Sequence, residues 1–504
     1  MMRPMPATDR LPHALYRADQ VRELDRIAIE DHHIPGRTLM ERAGSAAFGL
    51  LQEIWPEARD VTLFCGIGNN GGDGYVVGRL ALEAGLTVRL LQLGDEARLK
   101  GDALASAEAY RAAGGEVQAY QGLPQRTDVM VDGVFGTGLE REVSGRWRDV
   151  LEAINRHSAP VLALDIPSGL HADSGQALGV AVRALATISF IGLKRGMFTG
   201  EGPEYCGDIR FDALEVPAVV YSREILSARR LDWGQQSSTF SPRRRTAHKG
   251  DFGHLLVIGG DQGFAGAVRL AGEAAARTGA GLVTIATHPE HAVLSIASRP
   301  ELMCHGVGSP QQLDPLLQRA SVVAIGPGLG QDRWGQSMLG RVLQTSLPLV
   351  VDADALNLLA EEPLERPDWV LTPHPGEAAR LLGNTTKHIQ ADRYLSVVRL
   401  QQRYGGVVVL KGSGTLVQGP SQRPTAVCSQ GNPGMASGGM GDVLTGVIGG
   451  LMAQGIAPEE AACMGVCLHA AAADRAAANG ERGMLAGDLM PEIRRLVNPG
   501  PMRC

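Results

Sequence analysis

Val61-Thr62-Leu63-Phe64-Cys65-Gly66-Ile67-Gly68-Asn69-Asn70-Gly71-Gly72-Asp73-Gly74 decides the fold of the first half of the chain. Its first four residues are β-branched or large and apolar, a strand signature. Glycines then crowd the segment, and Val76, Val77, Leu80, Ala81 and Ala84 return at helical spacing. Strand, glycine turn and helix in that order make one unit of a parallel sheet covered by helices. Gly66, Gly68 and Gly71 also satisfy G-x-G-x-x-G, which invites a hydride-transfer dinucleotide site. That fingerprint needs an acidic residue about 20 positions on, at the end of the second strand, to hold a ribose. Here that strand ends Leu90-Leu91-Gln92-Leu93, so the ordinary dinucleotide reading is set aside. Read directly, the glycines let backbone N–H groups and a helix N-terminus face an anionic phosphate. Asn70 and Asp73 offer oxygens to a ligand or a hard cation. A turn held by Asx side chains is the plainer alternative.

The same rhythm recurs outward from this segment. Thr87–Leu90, Val129–Val131, Val161–Leu164 and Thr187–Phe190 read as further strands. It fades between Leu226 and Arg245, where Gln235-Gln236-Ser237-Ser238 and Pro242-Arg243 look like a linker. It restarts with Leu255–Ile258 and continues through Leu282–Ile285, Val322–Ile325, Leu349–Val351 and Val407–Leu410. With 504 residues the chain exceeds one hydrophobic core. The expectation is two α/β domains, 1–225 and 226–504.

Composition narrows the function. A net charge of -6 and only 4% aromatic residues argue against nucleic acid and anionic membranes as partners. Arg243-Arg244-Arg245 reads as a solvated linker, with a phosphate contact as the alternative. The seven cysteines include no Cys-x-x-Cys pair and fit a reducing compartment. Met1–Leu11 lacks the apolar core of a secretory signal, and the apolar run Ala461–Ala473 is too short to span a bilayer. A cytoplasmic protein is expected.

Chemistry gathers at strand ends, where open α/β sheets bind ligands. Asp132 ends one strand and leads into Gly136-Thr137-Gly138-Leu139, and Asp165 ends the next, in Asp165-Ile166-Pro167-Ser168-Gly169. Together with Gly68–Gly74, these segments resemble the NAD(P)H-hydrate epimerase domain. The resemblance implies a Rossmann-like parallel-sheet domain that binds NADHX or NADPHX, the nicotinamide ring hydrated at C6. By motif match Asn69, Asn70, Gly71, Gly72 and Asp73 hold the ligand, as do Gly136, Thr137, Gly138, Leu139, Glu140, Arg141 and Glu142. Asn70, Asp132 and Ser168 supply oxygens to K+, and Asp165 does acid/base work at the hydrated carbon.

The second half carries a different set. Lys249–Gly253 precedes a strand that runs into Gly259-Gly260-Asp261, and Gly326-Pro327-Gly328-Leu329-Gly330 ends another. Thr372-Pro373-His374-Pro375-Gly376-Glu377 and Lys411-Gly412-Ser413-Gly414-Thr415 follow two more. Gly431-Asn432-Pro433-Gly434-Met435-Ala436-Ser437-Gly438-Gly439-Met440-Gly441-Asp442 opens a helix. No P-loop motif is present. The last segment still has the physics of a phosphate site: glycine amides approach a phosphoryl group, and the helix N-terminus adds positive potential. Asp442 then stands where a base takes a hydroxyl proton, with a helix N-cap as the alternative. Lys411, Ser413 and Thr415 suit a nucleotide phosphate. His374 reads as a turn residue between prolines, and Asp352-Ala353-Asp354 either assists Mg2+ or caps a helix.

This set resembles the ADP/ATP-dependent NAD(P)H-hydrate dehydratase, of the ribokinase-like α/β superfamily. By motif match Ala267, Gly328, His374 and Asp442 contact the hydrate, and Lys411, Gly412, Ser413, Gly414, Thr415 and Gly441 hold the nucleotide. The resemblance further implies Mg2+ and K+, ADP or ATP as co-substrate, and a homo-oligomer. Asp261 and Met440 depart from the usual serine and small residue. Two rivals stand beside this reading: a ribokinase-like small-molecule kinase, and a nucleotide-sensing scaffold with an inactive first domain.

Overall fold

The computed structural model describes residues 11–293, 297 and 299–498. Of the stretch read for a secretory signal, Met1–Arg10 lies outside the described residues, as does Cys504. Contacts divide the chain into two compact units, the first ending at Arg230 and the second beginning at Leu231. The short strand β1 (Ala14–Leu15) explains why residues up to Arg230 stay with the first unit. It pairs antiparallel with β9 (Ala228–Leu231), Ala14 opposite Arg229 and Leu15 opposite Ala228. The buried Arg230 guanidinium also donates to the Leu11 carbonyl, at 2.8 Å.

The first unit is built on the strands β2 (Asp60–Cys65), β3 (Thr87–Gln92), β4 (Val117–Ala119), β5 (Val129–Gly133), β6 (Val161–Leu164), β7 (Ala186–Phe190) and β8 (Asp208–Asp212). They form a parallel sheet in the order β4-β3-β2-β5-β6-β7-β8. The order reverses between β2 and β5, which makes their carboxyl ends the topological switch point. Register sets Phe64 opposite Asp132 and Cys65 opposite Gly133 there. The glycine segment and the first strand-end aspartate therefore meet at one place.

The helix after β2 begins at Asn69, not at Val76 where the apolar periodicity starts, and runs to Glu83. Intrinsic propensity disfavours so many glycines in a helix, but packing overrides it here. A Cβ on Gly71 would sit 2.0 Å from the Gly66 carbonyl oxygen, and one on Gly72 would sit 2.6 Å from Met40 Sδ. Gly71 thus lets this helix lie close to the end of its own strand, and Gly72 lets it lie against Met40 of the helix Gly36–Ile54.

The second unit contains β10 (His254–Ile258), β11 (Leu282–Thr287), β12 (Met303–Gly306), β13 (Val322–Ile325), β14 (Leu349–Val351), β15 (Trp369–Leu371), β16 (Val407–Leu410), β17 (Thr415–Gln418) and β18 (Thr425–Cys428). Their order is β18-β17-β16-β15-β14-β13-β10-β11-β12. Strands β10 to β16 are parallel, and β17 and β18 add an antiparallel edge. The sequence rhythm missed that edge, because four-residue strands joined by short turns leave no helical interval between them. The switch point lies between β10 and β13, with Gly259–Asp261 and Gly326–Gly328 at its mouth. The helix Met440–Ala453 buries Val443, Leu444, Val447, Ile448 and Leu451, each stabilising the fold by about 1.5–3 kcal/mol.

The expected linker is ordered in part. Trp233–Ser237 is a short helix capped by Asp232, whose side chain accepts from Gln235 N–H. Arg243 is exposed, as expected of the linker, and its guanidinium also stacks 3.6 Å from the Phe252 ring centroid and donates to Gln454 Oε1 at 3.0 Å. Arg244 and Arg245 are exposed.

Two candidate active sites

In the first unit Asp132, fully buried at the end of β5, accepts from Ser168 Oγ at 2.6 Å and from the Ser168 amide at 2.8 Å. Burial pushes its pKa up to about 6, with Ser168 and the Val134 amide pulling it back. The Phe135 carbonyl accepts from Ser168 Oγ at 3.2 Å and from Asn70 Nδ2 at 3.1 Å. Asn70 Oδ1 is buried with no partner among the described residues. Asn70, Asp132 and Ser168 are thus brought around one carbonyl, as a set of hard oxygens.

Asp165 follows β6 with φ at +66°, a left-handed backbone that costs a non-glycine residue about 1–3 kcal/mol. Its Oδ1 takes the ammonium of Lys194, a residue with no exposed surface. Lys194 also donates to Ser189 Oγ at 2.9 Å and to the Phe190 carbonyl at 3.3 Å. Two further carboxylates share this environment. Asp73 is held well above the ordinary carboxylate range by burial and then by the charges of Asp165 and Asp25, with Lys194 opposing. Asp25 is pushed up to about 6 by burial and by Asp165, again against Lys194. Gly136 abuts the group, since a Cβ there would sit 3.4 Å from Asn70 Cβ and 3.5 Å from Asp165 Oδ2. Thr137 and Leu139 are partly exposed, and Gly138, Glu140, Arg141 and Glu142 are exposed.

Sequence reasoning missed Lys194 and Asp25. Lys194 closes the run Phe190-Ile191-Gly192-Leu193-Lys194, where an all-buried strand end offered a weak signal that its charge needs a partner. Asp25 sits on the amphipathic helix Ala18–Glu30 and reads there as one more surface charge.

In the second unit Asp352 is the hub. It is buried and occupies the N-cap of the helix Ala353–Glu361 without capping it. Instead its Oδ1 accepts from Lys411 Nζ at 2.6 Å and its Oδ2 from Thr445 Oγ1 at 2.8 Å. Of the two sequence readings, capping by Asp352 is therefore not what the fold uses. Asp354 accepts from the Gly330 amide at 3.0 Å and from Gln331 Nε2 at 3.0 Å. Lys411 Nζ also lies 3.9 Å from Glu377 Oε2. Burial lowers the Lys411 pKa, but Asp352 and Glu377 outweigh it and the net shift is upward.

Asp442 is the third residue of its helix, after Gly439 with φ at +88°. A Cβ on the intervening Gly441 would sit 3.3 Å from Lys411 Nζ and 3.7 Å from Asp352 Oδ2. Burial and the Asp352 charge push the Asp442 pKa up to about 7, with Lys411 opposing. Glu377 also rises to about 7, chiefly through burial. His374 caps the helix Pro375–Leu382: Nδ1 accepts from the Gly376 amide at 2.9 Å, while Glu377 Oε2 accepts from the His374 amide at 2.7 Å. Those acceptor bonds require an unprotonated Nδ1, in keeping with a pKa that burial and Lys411 lower.

Gly328 and Ala267 flank the exposed Phe264, since a Cβ on Gly328 would meet Phe264 Cβ at 2.6 Å and Ala267 Cβ at 3.3 Å. Asp261 Oδ2 would meet a Cβ on Gly330 at 2.7 Å, and Met440 is buried. The Lys411–Thr415 turn is held from beneath by Arg393, another residue the sequence reading missed. Its buried guanidinium donates to the carbonyls of Leu410 and Lys411 at 3.2 Å and of Gly414 at 3.4 Å.

Residues 36–196 match the family model described as YjeF-related protein N-terminus, and residues 255–495 match the one described as NAD(P)H-hydrate dehydratase. The chain is 50% identical over 487 residues to a bifunctional NAD(P)H-hydrate repair enzyme of Coxiella burnetii, covering 96% of this chain and 99% of that protein. It is 46% identical over 493 residues to the protein of that name in Escherichia coli, covering 97% and 95%. Among solved structures, a ribokinase-like superfamily protein of Enterococcus faecalis matches at 29% identity and a TM-score of 0.51, covering 55% of this chain and 97% of that one.

Proposed function

The chain belongs to the bifunctional NAD(P)H-hydrate repair enzymes, and from that premise we propose how its two sites divide the work. It is an isomerase and a lyase: one activity epimerises R- and S-NAD(P)HX, and the other dehydrates the S form to NAD(P)H at the expense of ADP or ATP. We assign the first to the unit ending at Arg230 and the second to the unit beginning at Leu231. The observation that carries this assignment is the pairing of each aspartate with its setting. Asp165 is bound to a buried lysine, while Asp442 has no salt-bridge partner among the described residues and a pKa of about 7 at a helix N-terminus.

In the epimerase site Asp165 does the acid/base work at the hydrated carbon: it protonates the C6 hydroxyl as the ring nitrogen's electron pair expels it as water, takes a proton from the water that re-adds on the other face, and is balanced by Lys194 when ionised. Asn69–Asp73 and Gly136–Glu142 line the ligand. The unpartnered Asn70 Oδ1, the buried Asp132 carboxylate and Ser168 fit a hard monovalent cation, so we assign them to K+. Such an ion supplies the positive charge that a buried Asp132 otherwise lacks.

In the dehydratase site Asp442 accepts the C6 hydroxyl proton, and the oxygen attacks the terminal phosphoryl of the nucleotide. Amides of the Gly431–Gly441 loop receive the developing charge. The ring nitrogen's electron pair then expels phosphate, a proton leaves C5, and the dihydropyridine is restored. Gly328, Ala267 and His374 border the hydrate, and Lys411–Thr415 with Gly441 border the nucleotide. Among the described residues no group of three or more His, Cys, Asp or Glu is placed to hold a metal. Mg2+ is assigned to the nucleotide's phosphates. No helix among the described residues is long and apolar enough to cross a membrane. Cys65, Cys206, Cys428 and Cys467 are free thiols, which supports a reducing compartment, hence the cytoplasm; a homo-oligomer completes the proposal.

The test supplies an R/S mixture of NADPHX with K+, Mg2+ and either ADP or ATP. Both epimers should disappear, with NADPH returning only when nucleotide is present. Accumulation of a released phosphate ester, seen by mass spectrometry, would support a kinase instead.

A further inference from the structure

The helix Pro458–Ala476 is buried along every residue from Ala461 to Ala473, and nearly all of them are small or apolar. Two polar side chains break that pattern, His469 and Asp474. Asp474 lies toward the helix end and faces the start of the phosphoryl loop: its Oδ2 accepts from the Gly431 amide at 3.0 Å and its Oδ1 from Asn432 Nδ2 at 2.9 Å. Asn432 passes the constraint on, because its Oδ1 accepts from the Gly434 amide at 3.0 Å. The contact is close, since a Cβ on Gly431 would lie 3.7 Å from Ala470 Cβ. His469 is buried on the same helix, one residue before the Ala470 side chain that faces Gly431.

Neither residue is explained by packing. The His469 Nε2 is buried without a partner among the described residues, a desolvation cost that an apolar side chain would avoid. Asp474 is partly buried and its pKa is raised by that burial, which its bonds to Asn432 and Gly431 only partly offset. What Asp474 holds is the start of one loop. Gly431, Gly434, Gly438, Gly439 and Gly441 give that loop large backbone freedom, whereas charge stabilisation at a transferring phosphoryl group needs amides fixed in advance.

We propose that Asp474 is a positioning residue for the dehydratase, a clamp by which one largely buried helix sets the start of the phosphoryl-facing loop. The proposal rests on the assignment of Asp442 and that loop to phosphoryl transfer. In Asp474→Asn no arrangement keeps every bond: the new amide presents a donor either to the Gly431 amide or to Asn432, and flipping Asn432 strands the Gly434 amide.

The test uses the full-length chain, with epimerase activity reporting on the first unit and the melting temperature of the second unit, read by calorimetry, reporting on the folding of the substituted one. Wild-type dehydratase activity with ADP must be present first; its absence overturns the parent assignment, not the clamp. In Asp474→Asn, kcat for dehydration is expected to fall about 10- to 100-fold. KM for ADP should stay within about threefold, and epimerase rate should be unchanged, since a loose anion hole weakens transition-state more than ground-state binding. Asn432→Ala, which removes the relay from Asp474 to the Gly434 amide, is expected to show the same split and decides the matter if Asp474→Asn fails to fold. A kcat retained within about threefold, or a rise in KM for ADP without loss of kcat, overturns the clamp.

Discussion

Lys194 with Asp165 in the first unit and Lys411 with Asp352 in the second are the same device. Each is a deeply set lysine salt-bridged to an aspartate at a parallel strand end. A left-handed non-glycine residue marks each strand end, Asp165 at +66° and Ala353 at +48°. Each pair is flanked by two carboxylates whose pKa values burial raises, Asp25 and Asp73 in one, Glu377 and Asp442 in the other. The difference lies in which carboxylate the lysine takes. In the first unit it binds the residue assigned to chemistry, so the proton inventory of the pair stays balanced, which suits a reversible epimerisation. In the second it binds a neighbour and leaves Asp442 as a lone base of raised pKa, which suits one-way transfer of a hydroxyl proton during phosphorylation.

The comparison can be broken most sharply at the lone base. Asp442→Asn should lower dehydratase kcat by about 10²–10⁴-fold, the usual range for losing a general base, with epimerisation intact. The wild-type pH profile gives the sign. A carboxylate raised to about 7 is protonated and idle below that pH, so kcat should climb tenfold per pH unit up to about 7 and then level. A profile flat down to pH 5 would remove Asp442, beside Asp352, Lys411 and Asp354, as the titrating base.

Next in size is the lysine that binds its own catalytic partner. Lys194→Met should cut epimerisation about 100-fold or more while dehydration of pre-formed S-NADPHX continues. Equal loss of both would show that the substitution unfolds the chain.

How far the sequence reaches depends on the kind of signal. Strand ends at Asp132 and Asp165 and the glycine loops at Gly66 and Gly431 were readable, because β-branched runs and glycine clusters are local. Helix onset at Asn69 was not, since it is set by contacts with the Gly66 carbonyl and Met40, which local propensity does not encode. Lys194, Asp25 and Arg393 escaped for a related reason: each is a charged residue whose partners come from other elements. The antiparallel β17–β18 edge gave no interval long enough to register as a crossover. Glu377 was visible inside its motif, yet its place between His374 and Lys411 was not.

Smaller effects sharpen the account of each binding loop. Arg393→Lys loses the fork that holds Gln390 Oε1 through Nη1 and the carbonyls of Leu410, Lys411 and Gly414 through Nη2, and KM for ADP should rise about tenfold with little change in kcat. Exchanging K+ for choline should lower the melting temperature of the first unit by about a few degrees, read by calorimetry, and slow epimerisation. Asn70→Ala should make both insensitive to the exchange.

The most direct measurement follows the R and S pools and NADPH together in one reaction, comparing wild type with Asp165→Asn in the presence of ADP. The two-site account predicts that the variant consumes S at the wild-type rate and leaves R to drain only as fast as it epimerises spontaneously. Removal of both pools at the wild-type rate by Asp165→Asn would contradict it.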